Sequence, residues 1–265
     1  MQTLRITRFK AFGTPFELNP MGRNMLIYGE NGAGKSSIAE ALRIVFHHER
    51  LFGRFARKGV NRDQEERRFL SSFAHKGNMT EGEPEILFDG IPYSSLDNRN
   101  QRCAIITRDT ILAESRTYDD KLEYKPDTIN FRQLTSSADY VTWQTDSDIP
   151  SLDQLQEVID EVNTVLDHRF LETLRIGIES EDMYIKLTDT ASGLYASEDL
   201  HRYFNEAKIN LATLLLLLVT IKREYARHRA QESRPILVMD DVISSLDACN
   251  RSFLAEYQLD EVDGH

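Results

Sequence analysis

Gly29-Glu30-Asn31-Gly32-Ala33-Gly34-Lys35-Ser36-Ser37 is the stretch that decides the fold of this chain. It follows the apolar run Met25–Tyr28, which predicts a strand, and precedes Ile38–Phe46, which predicts a helix. Gly-x-x-x-x-Gly-Lys-Ser in that setting is typical of a phosphate-binding P-loop, whose backbone N–H groups face an anion at a helix N-terminus. We expect Lys35 to reach the β- and γ-phosphates of a nucleotide and Ser36 to offer its hydroxyl to Mg²⁺.

A pair of aspartates near the other end of the chain supplies the second motif. The apolar run Ile236–Met239 predicts a strand buried on both faces, as in a parallel sheet. A carboxylate at the carboxyl end of such a strand faces a nucleotide bound at the switch point of the sheet. Asp240 is therefore the predicted Walker B ligand of Mg²⁺, and Asp241 is predicted to polarise the water that attacks the γ-phosphate.

Composition limits the classes of protein that fit these motifs. A chain of 265 residues buries a sizeable core and forms one large domain or two small ones. The net charge of −11 provides no global footprint for nucleic acid. Two cysteines, Cys103 and Cys249, give no disulfide framework, which fits a reducing compartment. The N-terminus lacks an apolar signal segment, and the longest apolar run, Leu214–Val219, is too short to span a bilayer. We expect a cytoplasmic protein with no membrane partner.

The first half of the chain predicts short strands and one hairpin. Alternating apolar and polar residues over Leu4–Phe9 predict a half-buried strand, and a second strand follows around Phe16–Leu18. The pair Asp89-Gly90 between two apolar runs is a hairpin signal, and Cys103–Ile106 predicts another strand. The helix after the P-loop is predicted to end near His47-His48, as a solvated helix end.

The second half predicts two longer helices and a pair of strands. Ser151–Gln154 is a capping box that opens a helix with one apolar stripe. The stripe consists of Leu155, Val158, Ile159, Val162, Val165, Leu166, Phe170 and Leu174. Strands are predicted at Ile176–Ile178 and Met183–Leu187. A helix that is apolar all round begins after Asn205, and its capped N-terminus is either a phosphate site or a plain N-cap.

The segment Arg50–Lys76 departs from the acidic character of the whole chain. Its basic residues are Arg50, Arg54, Arg57, Lys58, Arg62, Arg67, Arg68 and Lys76, and its phenylalanines are Phe52, Phe55, Phe69 and Phe73. Basic residues interleaved with aromatic ones can bind the backbone of DNA or RNA. They can equally form a solvated helical insertion whose phenylalanines pack on the core. Both interpretations remain open at this point.

Leu4–Phe12, Asn31–Ser37 and Asp240–Asp247 together resemble the ATPase heads of SMC, RecF and RecN proteins. The last of these stretches is similar to a Walker B motif followed by a D-loop, here Ser245-Leu246-Asp247. Such heads bind ATP and Mg²⁺ between two protomers, so the resemblance implies an ATP-dependent dimer. The Asp240-Asp241 pair is similar to that of RecF and of bacterial anti-phage defence ATPases of the Septu and anticodon-nuclease types. It implies a role in DNA repair or defence, with a nuclease or other effector as partner.

Three parts of the sequence depart from the pattern of that family. Asn205-Glu206-Ala207-Lys208 stands where the family has a signature, Ser-Gly-Gly-Gln or Ser-Glu-Gly-Glu, that meets the P-loop of the other head. After the strand at Cys103–Ile106, Asp109 is the candidate substitute for the glutamine of the Q-loop. The last residues, Asp260–His265, are too polar for the buried strand that precedes the family's switch histidine. The resemblance therefore implies slow hydrolysis.

The predicted architecture is α/β, a single P-loop NTPase head (ABC ATPase-like) over residues 1–265. We expect a mostly parallel core sheet, an antiparallel β lobe and a helical insertion. The N-terminal lobe is predicted at about 1–115, the insertion at about 116–175 and the C-terminal lobe at about 176–265. The predicted function is ATP binding and hydrolysis coupled to head dimerisation. A non-hydrolysing, ATP-gated module that holds an effector is the alternative. An ABC transporter subunit is less favoured, because the sequence has no Leu-Ser-Gly-Gly-Gln.

Overall fold

The computed structural model describes most of the chain as helices, strands and connecting turns. The described residues are 3–21, 23, 25, 27, 29–57, 59–77, 82–96, 103–107, 128–137, 151–170, 173–179, 181–227, 236–242, 246 and 250–252. The elements are, in chain order, β1 (Leu4–Thr7), β2 (Phe16–Leu18), α1 (Lys35–Phe55), α2 (Arg62–Ser71), β3 (Glu85–Phe88), β4 (Ile91–Pro92), β5 (Cys103–Thr107), α3 (Phe131–Ser137), α4 (Leu152–Val165), β6 (Leu174–Ile178), β7 (Ile185–Asp189), β8 (Leu194–Ala196), α5 (Leu200–Tyr203), α6 (Glu206–Arg227) and β9 (Ile236–Asp240). The chain divides into two compact units, Met1–Ile105 with Ser233–Asp240, and Ile106–Glu232 with Asp241–His265.

An antiparallel sheet of order β2-β1-β3-β4 forms much of the first unit. Its central strand β1 pairs Leu4 with Leu18 on one side and with Phe88 on the other. The predicted hairpin joins β3 to β4, and both of its turn residues, Asp89 and Gly90, have positive φ (49° and 77°). Two positive φ values in a two-residue turn are what the right-handed twist of a hairpin favours. The antiparallel lobe and its hairpin are therefore confirmed.

The parallel part of the fold is smaller than the sequence predicts. Among the described residues it consists of β5 and β9, which form a two-stranded parallel sheet. The strand β9 exists as predicted, but its burial on both faces does not hold, since Leu237 is 41% exposed. Met25 and Ile27 are 45% and 38% exposed and lie outside any strand. Leu26 and Tyr28 lie outside the described residues. An apolar run becomes a strand only where a neighbour pairs with its backbone N–H and C=O groups.

The helix that follows the phosphate loop continues beyond its predicted end. The helix α1 runs to Phe55, with one non-helical residue at His47 (φ −125°, ψ 24°). His48 is not solvated, because its ring lies 5.5 Å from the ring of Phe52, 5.7 Å from Phe69 and 5.2 Å from Tyr93. Desolvation lowers the pKa of His48, although the nearby carboxylates oppose this shift. Because His48 packs against aromatic rings, α1 continues beyond His47 and His48, where the sequence predicts its end.

The second unit contains the antiparallel sheet β6-β7-β8 and the helices that pack near it. The capping box at the start of α4 is confirmed, since Ser151 and Gln154 each bond the other's backbone N–H. The predicted stripe is too long, however. The helix α4 ends at Val165, a π-helical turn occupies Leu166–Phe170, and Leu174 begins β6.

One side chain near the end of α4 bonds the backbone of the strand β6 that follows it. Asn163 donates from Nδ2 to the carbonyl of Ile176 and accepts from the N–H of Ile176, both at 2.9 Å. These bonds satisfy the backbone of β6 as a paired strand would. The second long helix, α6, is buried all round over its apolar part, residues 209–221, as predicted, and Leu214–Val219 are at most 6% exposed. None of the helices within the described part of the chain has the length and hydropathy to cross a membrane.

Candidate nucleotide-binding site

The loop Gly29–Ser37 contains two glycines in backbone conformations that residues with a side chain rarely adopt. Gly32 and Gly34 have φ values of 87° and 95°, in the left-handed region. Gly34 is also confined, because a Cβ there would lie 2.7 Å from Cζ of Phe12. Gly32 has open space around it, so its requirement is conformational alone. Within the loop, Glu30, Asn31 and Ala33 are exposed to solvent.

The N-terminus of α1 adds its first backbone N–H groups to the hydrogen-bond donors of this loop. The helix begins at Lys35, directly after Gly34, and its first turn contains no acidic residue. Gly34 is the N-cap residue, and it makes no side-chain hydrogen bond to the first N–H groups. The first N–H groups of a helix have no acceptor within the helix, and its dipole favours negative charge at this end. A phosphate group fits such an arrangement of donors.

The side chain of Lys35 lies over the loop. Its Nζ donates hydrogen bonds to the carbonyls of Gly29 at 2.7 Å and Glu30 at 2.8 Å. An ammonium group has three donors, so one further hydrogen bond to a phosphate oxygen is compatible with both of these bonds. Lys35 thus links the start of the loop to the helix and places a positive charge beside the loop.

A long-range contact joins the two sequence motifs. The hydroxyl of Ser36 donates a hydrogen bond to Oδ1 of Asp240 at 3.2 Å, across 204 positions in sequence. Neighbouring ligands of an octahedral Mg²⁺, with Mg–O distances of about 2.0–2.1 Å, lie about 3 Å apart. A hydroxyl and a carboxylate at this separation are oxygen ligands of the kind that Mg²⁺ takes. The residues present therefore fit the expected ion, and Ser36 and Asp240 would hold it.

The residue next to Asp240 has an unusual backbone. Asp241 is exposed and has a φ of 56°. Asp tolerates the left-handed region better than most residues do, and strained backbone is frequent at functional sites. Of the predicted D-loop, Leu246 is 2% exposed. Ser245 and Asp247 lie outside the described residues, as do the Q-loop candidate Asp109 and the terminal His265.

The signature-like segment forms the start of α6 in the second unit. Asn205 caps the helix, since its Oδ1 accepts from the N–H of Lys208 at 2.9 Å. The Lys208 ammonium donates to Asp189 at 3.2 Å. The pKa of Asp189 is lowered, first by a hydrogen bond from Thr173 and then by the one from Lys208. Glu206 and Ala207 lie in the first turn of the helix. Two of the four signature-like side chains are thus held by local partners.

The phenylalanines of the Arg50–Lys76 segment pack inward. Phe52 and Phe69 are 5% and 3% exposed, and Phe55 and Phe73 pack against the same core. This packing is what the interpretation as a helical insertion predicts.

Three cations of the same segment have carboxylate partners nearby. Arg57 and Arg68 both bind Glu65 of α2, and Arg62 binds Glu49 of α1. Lys58 lies outside the described residues, and the side chains of Arg50 and Arg54 are not described. Contact with DNA or RNA stays a prediction.

The structure also brings to the loop two residues that the motif did not include. Ala11 and Phe12, in the turn after β1, lie against Gly34, with the Ala11 Cβ 3.1 Å from the position of an added Cβ. No spacing in the sequence relates these residues to the loop, because the contact depends on how β1 packs beside α1.

A comparison of the sequence with protein-family models finds a matching family. A family described as an AAA domain matches residues 3–217, which include the phosphate loop and the start of α6. Asp240 and Asp241 lie beyond the match, so the contact of Ser36 with Asp240 is an independent observation. No curated protein matches the chain. Because the match extends over most of the sequence, the chain belongs to the AAA domain family of P-loop ATPases, whose members bind ATP and use Mg²⁺.

Proposed function

We propose that the protein is an SMC/RecF-like head that binds ATP and Mg²⁺, dimerises around them and hydrolyses the nucleotide. The hydrogen bond between Ser36 and Asp240 is the observation that supports this proposal most directly. It brings together a hydroxyl and a carboxylate that the sequence separates widely, in the geometry that a magnesium nucleotide requires.

In this proposal each residue of the site has a separate role in nucleotide binding or hydrolysis. The N–H groups of Gly29–Ser37 and the N-terminus of α1 bind phosphate oxygens, and Lys35 adds a charge-assisted hydrogen bond. Ser36 and Asp240 would hold Mg²⁺, which would neutralise charge on the β- and γ-phosphates. Asp241 accepts a hydrogen bond from the attacking water and orients it toward the γ-phosphate.

Dimerisation and partners are inferred from the resemblance to SMC and RecF heads. In this proposal the signature-like segment Asn205–Lys208 of one protomer meets the phosphate loop of the other. The ATP-bound dimer then controls an effector, of which a nuclease is the chemical class we favour, in DNA repair or anti-phage defence. The basic segment Arg50–Lys76 is the proposed contact for DNA or RNA.

A second candidate function has one specific observation in its favour. Asn205 is engaged as a helix cap and Lys208 is paired with Asp189, so these two side chains have roles within their own protomer. A head with such a signature binds ATP without hydrolysing it and acts as an ATP-gated interaction module. Turnover measured beside ATP affinity separates the two candidates.

The first experiment measures ATP affinity in the presence of Mg²⁺ by calorimetry, for the wild type and for Lys35→Ala. Loss of a hydrogen bond to a charged group weakens binding by roughly 10- to 150-fold. The fold is expected to survive, because the described bonds of the Lys35 ammonium are to Gly29 and Glu30 alone. Lys186→Ala is the matched control, since Lys186 is an ion-paired lysine of the second unit.

The outcomes distinguish the candidates. ATP binding that is unchanged in Lys35→Ala would overturn the assignment of the phosphate loop. Tight binding with no measurable turnover in the wild type would favour the non-hydrolysing module. Slow turnover, below roughly 1 s⁻¹, that disappears in Asp241→Asn is the result expected for the proposed ATPase.

A further inference from the structure

A short turn between β1 and β2 lies against the phosphate loop. Phe9 and Phe12 exchange backbone hydrogen bonds of 2.9 and 2.8 Å and so close a two-residue turn at Lys10-Ala11. Arg8 and Lys10 have φ values of 54° and 44°, which residues with a side chain rarely adopt. A strained backbone of this kind persists only where neighbouring groups hold it in place.

The residues Phe73–Gly77, which follow α2, hold this turn, and we name them the clamp segment. The N–H of Lys10 donates to the carbonyl of Phe73 at 2.7 Å, and the N–H of His75 donates to the carbonyl of Arg8 at 2.9 Å. The ring Nδ1 of His75 donates to the carbonyl of Lys10 at 2.6 Å. Each strained residue of the turn thus has its carbonyl bound by His75.

The ring of His75 fits closely between two glycines. A Cβ at Gly13 would lie 3.0 Å from Cδ2 of His75, and a Cβ at Gly77 would lie 2.3 Å from its Nε2. Real Cβ atoms essentially never approach as closely as 2.3 Å, and a distance of 3.0 Å is tighter than most Cβ contacts. The absence of a side chain at Gly77 therefore leaves room for the imidazole, and the ring also packs closely against Gly13. The imidazole of His75 therefore packs between Gly13 on one side and Gly77 of the clamp segment on the other.

The opposite side of the turn touches the phosphate loop. The ring of Phe12 and the Cβ of Ala11 lie 2.7 and 3.1 Å from where a Cβ of Gly34 would be. The ammonium of Lys10 lies 3.9 Å from the carboxylate of Glu40 in α1, which begins directly after Gly34. A shift of the turn would therefore change the packing at the residue where loop and helix join.

We propose that His75 is a positioning residue for the phosphate loop. Its imidazole holds the Arg8–Gly13 turn, and through Phe12 the turn keeps Gly34 and the N-terminus of α1 in their phosphate-binding conformation. This role rests on the proposed function, because it concerns nucleotide binding at Gly29–Ser37. His75 itself has no contact with the nucleotide in this proposal and acts through Lys10 and Phe12.

The test measures ATP affinity in the presence of Mg²⁺ for His75→Ala and His75→Asn, with the urea unfolding midpoint of each variant. We expect about a tenfold loss of affinity in His75→Ala, as for the loss of one well-placed hydrogen bond. His75→Asn is expected to recover most of that affinity, because the asparagine amide supplies an N–H donor. His168→Ala is the matched control, since His168 is exposed in the second unit.

A second pair of variants tests the same contact without removing the histidine. Gly77→Ala places a methyl group where the ring lies, and we expect it to weaken ATP binding as His75→Ala does. Gly53→Ala is its control, because a Cβ at Gly53 meets nothing within 4 Å. If His75→Ala does not fold, this pair and His75→Asn decide the question.

The outcomes separate this inference from the proposed function. A wild type that does not bind ATP counts against the proposed function. A wild type that binds ATP, with His75→Ala and Gly77→Ala within twofold of it, overturns the role of His75 and leaves the proposed function intact. An affinity loss that His75→Asn does not recover also overturns it, because the loss would then come from packing and not from the hydrogen bond to Lys10.

Discussion

Two separate constraints require glycine at position 34. The φ of 95° is in the left-handed region, and the ring of Phe12 occupies the space of a side chain. Gly90 has only the first constraint, because its φ is 77° and a Cβ there meets nothing within 4 Å. The pair of residues therefore separates backbone strain from steric contact.

Gly34→Ala is expected to be more destabilising than Gly90→Ala. Left-handed strain costs about 1–2 kcal/mol for alanine at either site. Overpacking against Phe12 adds about 1–3 kcal/mol at position 34. Urea unfolding of both variants measures the difference, and an ATP titration should show weaker binding for Gly34→Ala alone. Equal costs at the two positions would show that the contact with Phe12 has no energetic weight.

At the scale of single elements, the helix α2 contains a carboxylate that is almost fully buried. Glu65 is 3% exposed, and it accepts hydrogen bonds from the N–H of Arg57 and from the guanidinium of Arg68. Desolvation, the largest influence, raises the pKa of Glu65. The hydrogen bonds and charges of Arg57 and Arg68 outweigh it, so the net pKa is lowered. Removal of the charge would leave two cations without their shared partner.

This ion pair predicts a dependence of stability on pH. Because the pKa of Glu65 is lower in the folded state than in the unfolded state, its contribution is present above the unfolded value, near 4.5. That contribution is lost as the pH falls through the folded value. Glu65→Gln should therefore be less stable than the wild type at pH 7, and the difference should shrink in acid.

Thermal unfolding across the range from neutral to acidic pH tests this dependence. Glu17→Gln, at an exposed position of β2, is the control and should show no comparable difference. A gap between Glu65→Gln and the wild type that stays constant down to the acid limit would contradict the assignment of the stability to the charge of Glu65.

Two helices offer a comparison of N-caps. Ser151 caps α4 and Asn205 caps α6, each through a side-chain oxygen that accepts a backbone N–H. Ser151→Ala and Asn205→Ala should each cost about 1 kcal/mol in urea unfolding. Only Asn205→Ala should also reduce turnover, if Asn205 meets the γ-phosphate of a second protomer. Equal turnover in the two variants would assign Asn205 to capping alone.

At the scale of the whole molecule, the division into two units falls between the paired aspartates. Asp240 belongs to the first unit, with Ser36, and Asp241 belongs to the second. The φ of 56° at Asp241 is one that asparagine adopts as readily as aspartate. Asp241→Asn therefore changes the charge while it keeps the backbone conformation.

We expect Asp241→Asn to bind ATP with the affinity of the wild type and to hydrolyse it much more slowly. An ATP-bound dimer should then accumulate, because hydrolysis no longer ends the bound state. Size-exclusion chromatography with and without ATP measures this dimer, and Asp182→Asn in an exposed turn is the control. A variant that stays monomeric at saturating ATP would contradict dimerisation around the nucleotide.

Features that depend on a few neighbouring residues were predictable from the sequence. The hairpin at Asp89-Gly90, the capping box at Ser151 and the cap at Asn205 are of this kind, since each is decided within about four positions. The end of α1 was not predictable, because the rings of Phe69 and Tyr93 that pack on His48 come from distant segments. Leu174 fits an apolar stripe equally well on a helix or in a strand.

The sequence by itself determined the phosphate loop, because the spacing of its glycines and of Lys35 specifies a backbone that few other residues adopt. It also determined the strand that ends at Asp240, through a run of apolar residues. Only the tertiary structure decided that Ser36 and Asp240 lie 3.2 Å apart. It alone also decided that the turn after β1 contacts His75 through the carbonyl of Lys10 and Gly34 through the ring of Phe12. The physical reason is that contacts between distant segments depend on how sheets and helices pack, and no local pattern of residues encodes that packing.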